Sequence, residues 1–254
     1  MSVIRAIALN TFKEVLRDKV FYNLFVFALL MIGSALLLGT LTIGEQGKIV
    51  KDIGLASIEL FGVLIAIFVG VGLVSREIEK RTIYTIIAKP VHRYQFLLGR
   101  YAGLVLTMWV NTAVMFAAFS VILMIGGLTP DAGIVEAVGL ISVSQLVVLS
   151  MAMLFSTFTT PTLSGIFTLA LYVIGQLASE LKAMSEKLSG VAAKELIAGL
   201  YYLIPNLAVF NVKGEAVHGL PIAPEYLAMA VGYGLSYAAL MLLMSCMIFQ
   251  RRDF

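Results

Sequence analysis

Charge is scarce in this sequence. Only 13% of its 254 residues are Asp, Glu, Lys or Arg, whereas a soluble domain carries about 25% because its surface must face water. That shortfall excludes an ordinary soluble globule, and the charges also avoid long stretches of the chain. Histidine is limited to His92 and His218, too few for a histidine metal cluster. The one cysteine, Cys246, rules out a disulfide framework or a thiolate metal site within the chain. No G-x-x-x-x-G-K-[ST] phosphate loop occurs, and Gly47-Lys48 lacks both its spacing and the hydroxyl that should follow. H-E-x-x-H and G-x-S-x-G are also missing, so neither zinc hydrolysis nor a nucleophile elbow is indicated.

What is present is apolar: 60% of the residues, with a mean hydropathy of +0.99. A bilayer core of about 30 Å needs about 20 mostly apolar residues per helix. Val20–Leu41, Leu55–Val74, Tyr101–Gly126, Val135–Phe155 and Tyr226–Phe249 meet that length, and Thr162–Ala178 sits near the lower limit. The expected fold is therefore an all-α integral membrane protein of six transmembrane helices, filling residues 1–254 as one domain. The predicted spans contain no Lys or Arg, and Glu59 is at most a peripheral acid. Ion-driven transporters commonly use buried ionisable residues, so this scarcity weighs against them.

The basic residues divide unequally. Arg5, Lys13, Arg17, Lys19, Arg76, Lys80, Arg81, Lys89, Arg93, Arg100, Arg251 and Arg252 fall on one side of the expected bilayer. Lys48, Lys51, Lys182, Lys187, Lys194 and Lys213 fall on the other. The positive-inside rule makes the richer side cytoplasmic, with both termini inside. Residues 1–19 are too charged, and the first span too long, for a cleaved signal peptide. Ile4, Ile7, Ala8, Phe12 and Val15 recur at helical spacing there, which predicts an amphipathic interfacial helix.

Residues 75–103, SREIEKRTIYTIIAKPVHRYQFLLGRYAG, join the second and third spans. Glu77 and Arg81 form a favourable i,i+4 pair, so the helix should leave the membrane after Val74. Lys89-Pro90 should break it, and Pro90 should open a second helix through Tyr94 and Phe96 into the third span. Composition fits both a solvated loop and a docking face for a partner. On the other side, residues 179–225 hold turns at Pro205, Gly214, Gly219, Pro221 and Pro224. Tyr201 to Ile204 are apolar enough to anchor at the interface or re-enter the bilayer, whether as an anchor or as a cap over a pathway. Within the spans, Asn111, Thr112, Gln145, Ser150, Ser164, Thr168, Tyr172, Gln176 and Ser236 fit either a pathway lining or interhelical hydrogen bonds.

The run Arg76-Glu77-x-Glu79-x-Arg81-Thr82, then Lys89-Pro90-Val91-x-Arg93 and Gly99-Arg100, resembles the cytoplasmic connection of ABC exporter permeases of the type-2 class. Permeases encoded beside copper-enzyme maturation genes, and those of multidrug ABC exporters, share it. The resemblance extends to the N-terminal helix, the span count and the terminal Arg251-Arg252-Asp253-Phe254. It implies a permease subunit of the prokaryotic inner membrane, without its own nucleotide site, that pairs with a second permease copy. Two separate ATPase subunits would bind ATP and Mg; this chain would bind no cofactor, metal or nucleic acid, only membrane lipids besides its partners. Residues 75–100 would form the coupling region, with ATPase contacts around Glu77, Glu79, Arg81, Thr82, Lys89, Pro90, Arg93 and Tyr94. Spans two and five would face the substrate route, placing Thr162, Ser164, Thr168, Tyr172 and Gln176 near it. The contrasting readings are an ATP-independent transporter or channel, which needs no partner, and a membrane-embedded enzyme, for which no reactive constellation is visible.

Overall fold

A computed structural model of the chain describes residues 3–40, 45–79, 92–180, 183 and 204–251. Among them the regular structure is helical: α1 Val3–Val15, α2 Lys19–Thr40, α3 Gln46–Glu79, α4 Arg93–Ile125, α5 Ala132–Ser156, α6 Pro161–Gln176, a 3-10 turn Leu207–Phe210, α7 Lys213–His218 and α8 Pro224–Arg251. Five of these, α2, α3, α4, α5 and α8, are long and apolar enough to cross a membrane, and α6 is a shorter apolar helix. At one end of the bundle lie α1, the start of α4 and the end of α8; at the other lie the start of α3, the α4–α5 turn and α7.

Burial is graded as expected for a bundle with an apolar surround. The spanning window of α5 is 78% buried and that of α8 only 17%, so α5 is the central post and α8 lies outermost. Leu37, Ile125, Met229 and Leu243 point outward, each more than 60% exposed. In water such a surface would aggregate; against lipid tails it is neutral. Small residues set the close approaches inside. A side chain at Gly70 would meet Ala152 and Leu149 of α5, and one at Gly62 would overlap Gln145 Nε2. Gly62 thus admits the Gln145 side chain, which accepts a hydrogen bond from Thr112 Oγ1 (2.8 Å) and donates to Ile58 O (3.4 Å). Three helices, α3, α4 and α5, are joined there by one buried amide.

The turns follow from local chemistry. α2 starts where Asp18 Oδ1 accepts the Val20 N–H (2.8 Å). α4 ends at Gly127, whose left-handed φ of 73° lets the Leu128 N–H reach back to Leu123 O (2.9 Å). α5 is capped by Asp131, which accepts the Ile134 N–H (3.1 Å) and pairs with Lys51 (2.7 Å). Partial burial opposes ionisation of Asp131, but the hydrogen bonds from Lys51 and Ile134 and the Lys51 charge outweigh it and lower its pKa. The link is therefore present above the ordinary Asp value of 3.8 and is lost as the pH falls through the lower value in the fold.

α1 docks along α4. A β-carbon at Gly99 would lie 2.8 Å from Ile7 Cβ, and one at Gly103 only 2.5 Å from Ala8 O. The predicted face of Ile4, Ile7, Ala8, Phe12 and Val15 is the packed one, with Thr11 also wholly buried on it. Gly103→Ala is expected to push α1 off α4 and destabilise the chain by about 1–3 kcal/mol, the usual range for overpacking. Gly139→Ala, where the added carbon meets open space, is expected to be neutral or to stabilise by up to about 1 kcal/mol. Thermal melting of the detergent-solubilised chain compares the two; equal midpoints would contradict the docking.

Candidate functional site

Two charged constellations lie within the bundle, one at the α7 end of the seam between α3 and α6 and one where the start of α4 meets α1. At the α7 end, Glu59 projects from α3 inside its apolar window Gln46–Gly72, with its side chain 9% exposed. An isolated carboxylate there would be costly, and spanning helices keep such groups only when they are paired. Tyr172 Oη donates to Glu59 Oε1 (3.1 Å), and Gln176 Nε2 donates to the same oxygen (2.7 Å) and to Tyr172 Oη (3.3 Å). Tyr172 and Gln176 share one face of α6 because they are four residues apart. Lys213 Nζ, from the first residue of α7, pairs with Glu59 Oε2 and completes the site.

Lys213 is held there by the segment around it. Ile204, Pro205, Leu207, Phe210 and Val212 are buried, so the chain dips into the end of the bundle before α7. Pro205 O lies 2.6 Å from where a β-carbon on Gly175 would stand, so α6 admits this segment beside Gln176. The Asn206 N–H donates to Tyr233 Oη (2.9 Å), and Tyr226 Oη donates to Val209 O (2.7 Å), binding the segment to α8. Gly219, at φ 67°, closes α7 and turns the chain towards α8. Tyr201, Tyr202 and Leu203 lie outside the described residues.

Towards the α1 end the same seam opens. A cavity of about 730 Å³ lies between the α1–α2 corner, α3 and α6. Leu64, Phe68, Ile166 and Leu169 line it, and Arg17 and Asp18 stand at its rim. Among the five route residues predicted on α6, Thr162 lines this cavity, whereas Tyr172 and Gln176 bind Glu59. Ser164 and Thr168 are buried: Ser164 Oγ shares a hydrogen bond with Thr159 Oγ1 (2.6 Å), and Thr168 Oγ1 donates to Ser164 O (2.7 Å). Asn111, Ser150 and Ser236 likewise bond within their own helices.

The second constellation fastens the α1 end. Arg100, 5% exposed, donates from Nη1 to Glu14 Oε2 (2.6 Å) and to Thr11 Oγ1 (3.4 Å), and its guanidinium lies 5.4 Å from the Phe96 ring centre. Phe96 stacks on Phe249 of α8 (6.4 Å), and Arg93 Nη1 donates to Gln250 O (3.2 Å). The first turns of α4 are thereby tied to both α1 and the end of α8. α4 begins at Arg93, with the His92 N–H donating to Gln95 Oε1 (3.3 Å) and His92 stacked on Tyr94 (5.6 Å). Of the predicted ATPase contacts, Glu77 and Glu79 fall on the last turns of α3, which runs unbroken past Val74. Arg93 and Tyr94 open α4, and Arg81, Thr82, Lys89 and Pro90 lie outside the described residues.

The sequence marks Glu59 only as a peripheral acid and does not reveal Lys213 as its partner or the Arg100–Glu14 pair. Glu59 counted as peripheral because it lies only four residues into the predicted second span, yet α3 begins at Gln46 and buries it. The signal was available: one acid in an apolar run, and a Tyr and Gln at i,i+4 in another.

A family model described as ABC-2 family transporter protein matches residues 5–254. No curated protein matches the chain.

Glu14→Ala is expected to cost about 3 kcal/mol, because it removes the carboxylate paired with the Arg100 guanidinium, which is only 5% exposed. Arg100→Ala is expected to cost less, since the Glu14 side chain it leaves behind is 44% exposed and can be hydrated. Thermal midpoints of the two variants check the order; a larger loss from Arg100→Ala would contradict it.

Proposed function

The chain belongs to the ABC-2 family of transporter proteins, and from that premise we propose that it is the transmembrane permease subunit of an ABC exporter, driven by separate ATPase subunits. The family match over nearly the whole chain carries this reading. The asymmetric distribution of basic residues supports an orientation with the α1 end in the cytoplasm. The 16 residues of α6 rise about 24 Å, and helical backbone resumes at 178–180. With α6 counted as a crossing, six spans leave both termini on the cytoplasmic side of a prokaryotic cell membrane.

In this arrangement the chain between α3 and α4 is the coupling region. Glu77, Glu79, Arg81, Thr82, Lys89, Pro90, Arg93 and Tyr94 contact the ATPase, which binds ATP and Mg; this chain binds neither. Two permease copies and two ATPases make the working assembly. ATP draws the ATPases together, and the permease responds because its coupling region binds the two arrangements unequally. α3 carries the displacement along the seam to Glu59. α4 passes it to α1 and α8 through Arg100, Arg93 and Phe96. The cavity between α3 and α6, with Thr162 on its wall and Ser164, Thr168, Tyr172 and Gln176 along the same helix, is where cargo enters the route.

Co-expression with the ATPase encoded beside it tests this reading. A complex of two permeases and two ATPases with coupled ATP hydrolysis is expected, with hydrolysis reduced about tenfold or more by reversing the charges at Glu77 and Arg81. A chain that purifies alone, binds no ATPase and still moves solutes in liposomes would overturn it.

A further inference from the structure

The α3–α6 seam is open at one end and bridged by charge at the other. Nothing in the packing requires a charged bridge: apolar side chains of similar size would close the seam at no net loss, and often at a gain. An ion pair differs from an apolar contact in being switchable. Its partners are stable together out of water or apart in water, and unfavourable in between. The bridge also spans three elements with different attachments. Glu59 belongs to α3, whose far end enters the coupling region; Tyr172 and Gln176 belong to α6, which lines the cavity; Lys213 belongs to a short helix at the bundle's end. Lys213 is the more accessible partner. Its side chain is 21% exposed against 9% for Glu59, and it sits on a helix of only 6 residues.

We propose that the Lys213–Glu59 pair, braced by Tyr172 and Gln176, is a latch that holds the seam shut on the side opposite the cavity. In the arrangement seen here cargo space is open towards the α1 end and sealed at the other. Opening the sealed end requires the Lys213 side chain to withdraw from Glu59 while water reaches both. The carboxylate cannot be left dry and unpaired, so a half-open seam is disfavoured and the latch has two states. Tyr172 and Gln176 are positioning residues: they hold the carboxylate at the place Lys213 must reach. This rests on the permease reading only for its purpose. The latch itself is a property of this chain and is testable without an ATPase.

The test uses the full chain with Cys246→Ser and Ala178→Cys, which places one thiol at a buried position on the latched side. The chain is reconstituted in liposomes, and the labelling rate with a membrane-impermeant maleimide is measured. Lys213→Met and Glu59→Gln are each expected to raise that rate about tenfold or more, as the open state gains population. The reversed pair, Glu59→Lys with Lys213→Glu, is expected to return it towards the parent rate, which a merely unfolded protein would not do. Singles that label as slowly as the parent would overturn the latch, and so would a reversed pair that labels as fast as the singles. Failure to bind an ATPase would leave these rates unchanged, so the latch and the permease reading fail separately.

Discussion

A carboxylate inside an apolar window dictates the shape of one end of this protein. Glu59 must be neutralised where it stands, because water is excluded and hydrocarbon offers no partners. One element does not supply enough donors, so α6 contributes a phenol and an amide and α7 an ammonium. Bringing Lys213 that deep requires the chain before it to enter the bundle, which in turn requires Gly175 to make room for Pro205. Those features follow from the placement of one acid four residues into an apolar run.

The other end is organised by the opposite charge. Arg100 is buried against α1, and its partner Glu14 keeps contact with the surface. The small residues Gly99 and Gly103 bring the two backbones close enough for this pair to form. Since Arg93 and Phe96 reach the end of α8 from the same turns of α4, the start of α4 cannot move without carrying α1 and α8. The two ends thus differ: one ties α1, α4 and α8 together, and the other closes the α3–α6 seam with the Glu59–Lys213 pair and the segment before α7.

The helices were legible in the sequence because apolar length is a direct requirement of the bilayer, and the packed face of α1 was legible from its spacing. Thr11 escaped notice on that face, since its hydroxyl is satisfied by Ile7 O (2.9 Å) and by Arg100. α3 was expected from Leu55 but begins at Gln46, because Gly47, Lys48 and Lys51 are tolerated in a helix whose first turns sit against the α4–α5 turn. That shift turned a peripheral acid into a buried one. Lys213 was invisible as a partner because the pairing spans 154 residues, a distance no periodicity reports. Of the residues that carry the family resemblance, Arg81, Thr82 and Lys89 to Val91 lie outside the described residues.

If these pieces work together, the α3–α6 seam must change when the ATPases close. The direct measurement is disulfide formation between Phe68→Cys on α3 and Ile166→Cys on α6, both of which line the cavity, in the Cys246→Ser chain bound to its ATPase. Trapping nucleotide should narrow the cavity and speed cross-linking about tenfold, as a shift between two states requires. An unchanged rate with and without trapped nucleotide would contradict the account.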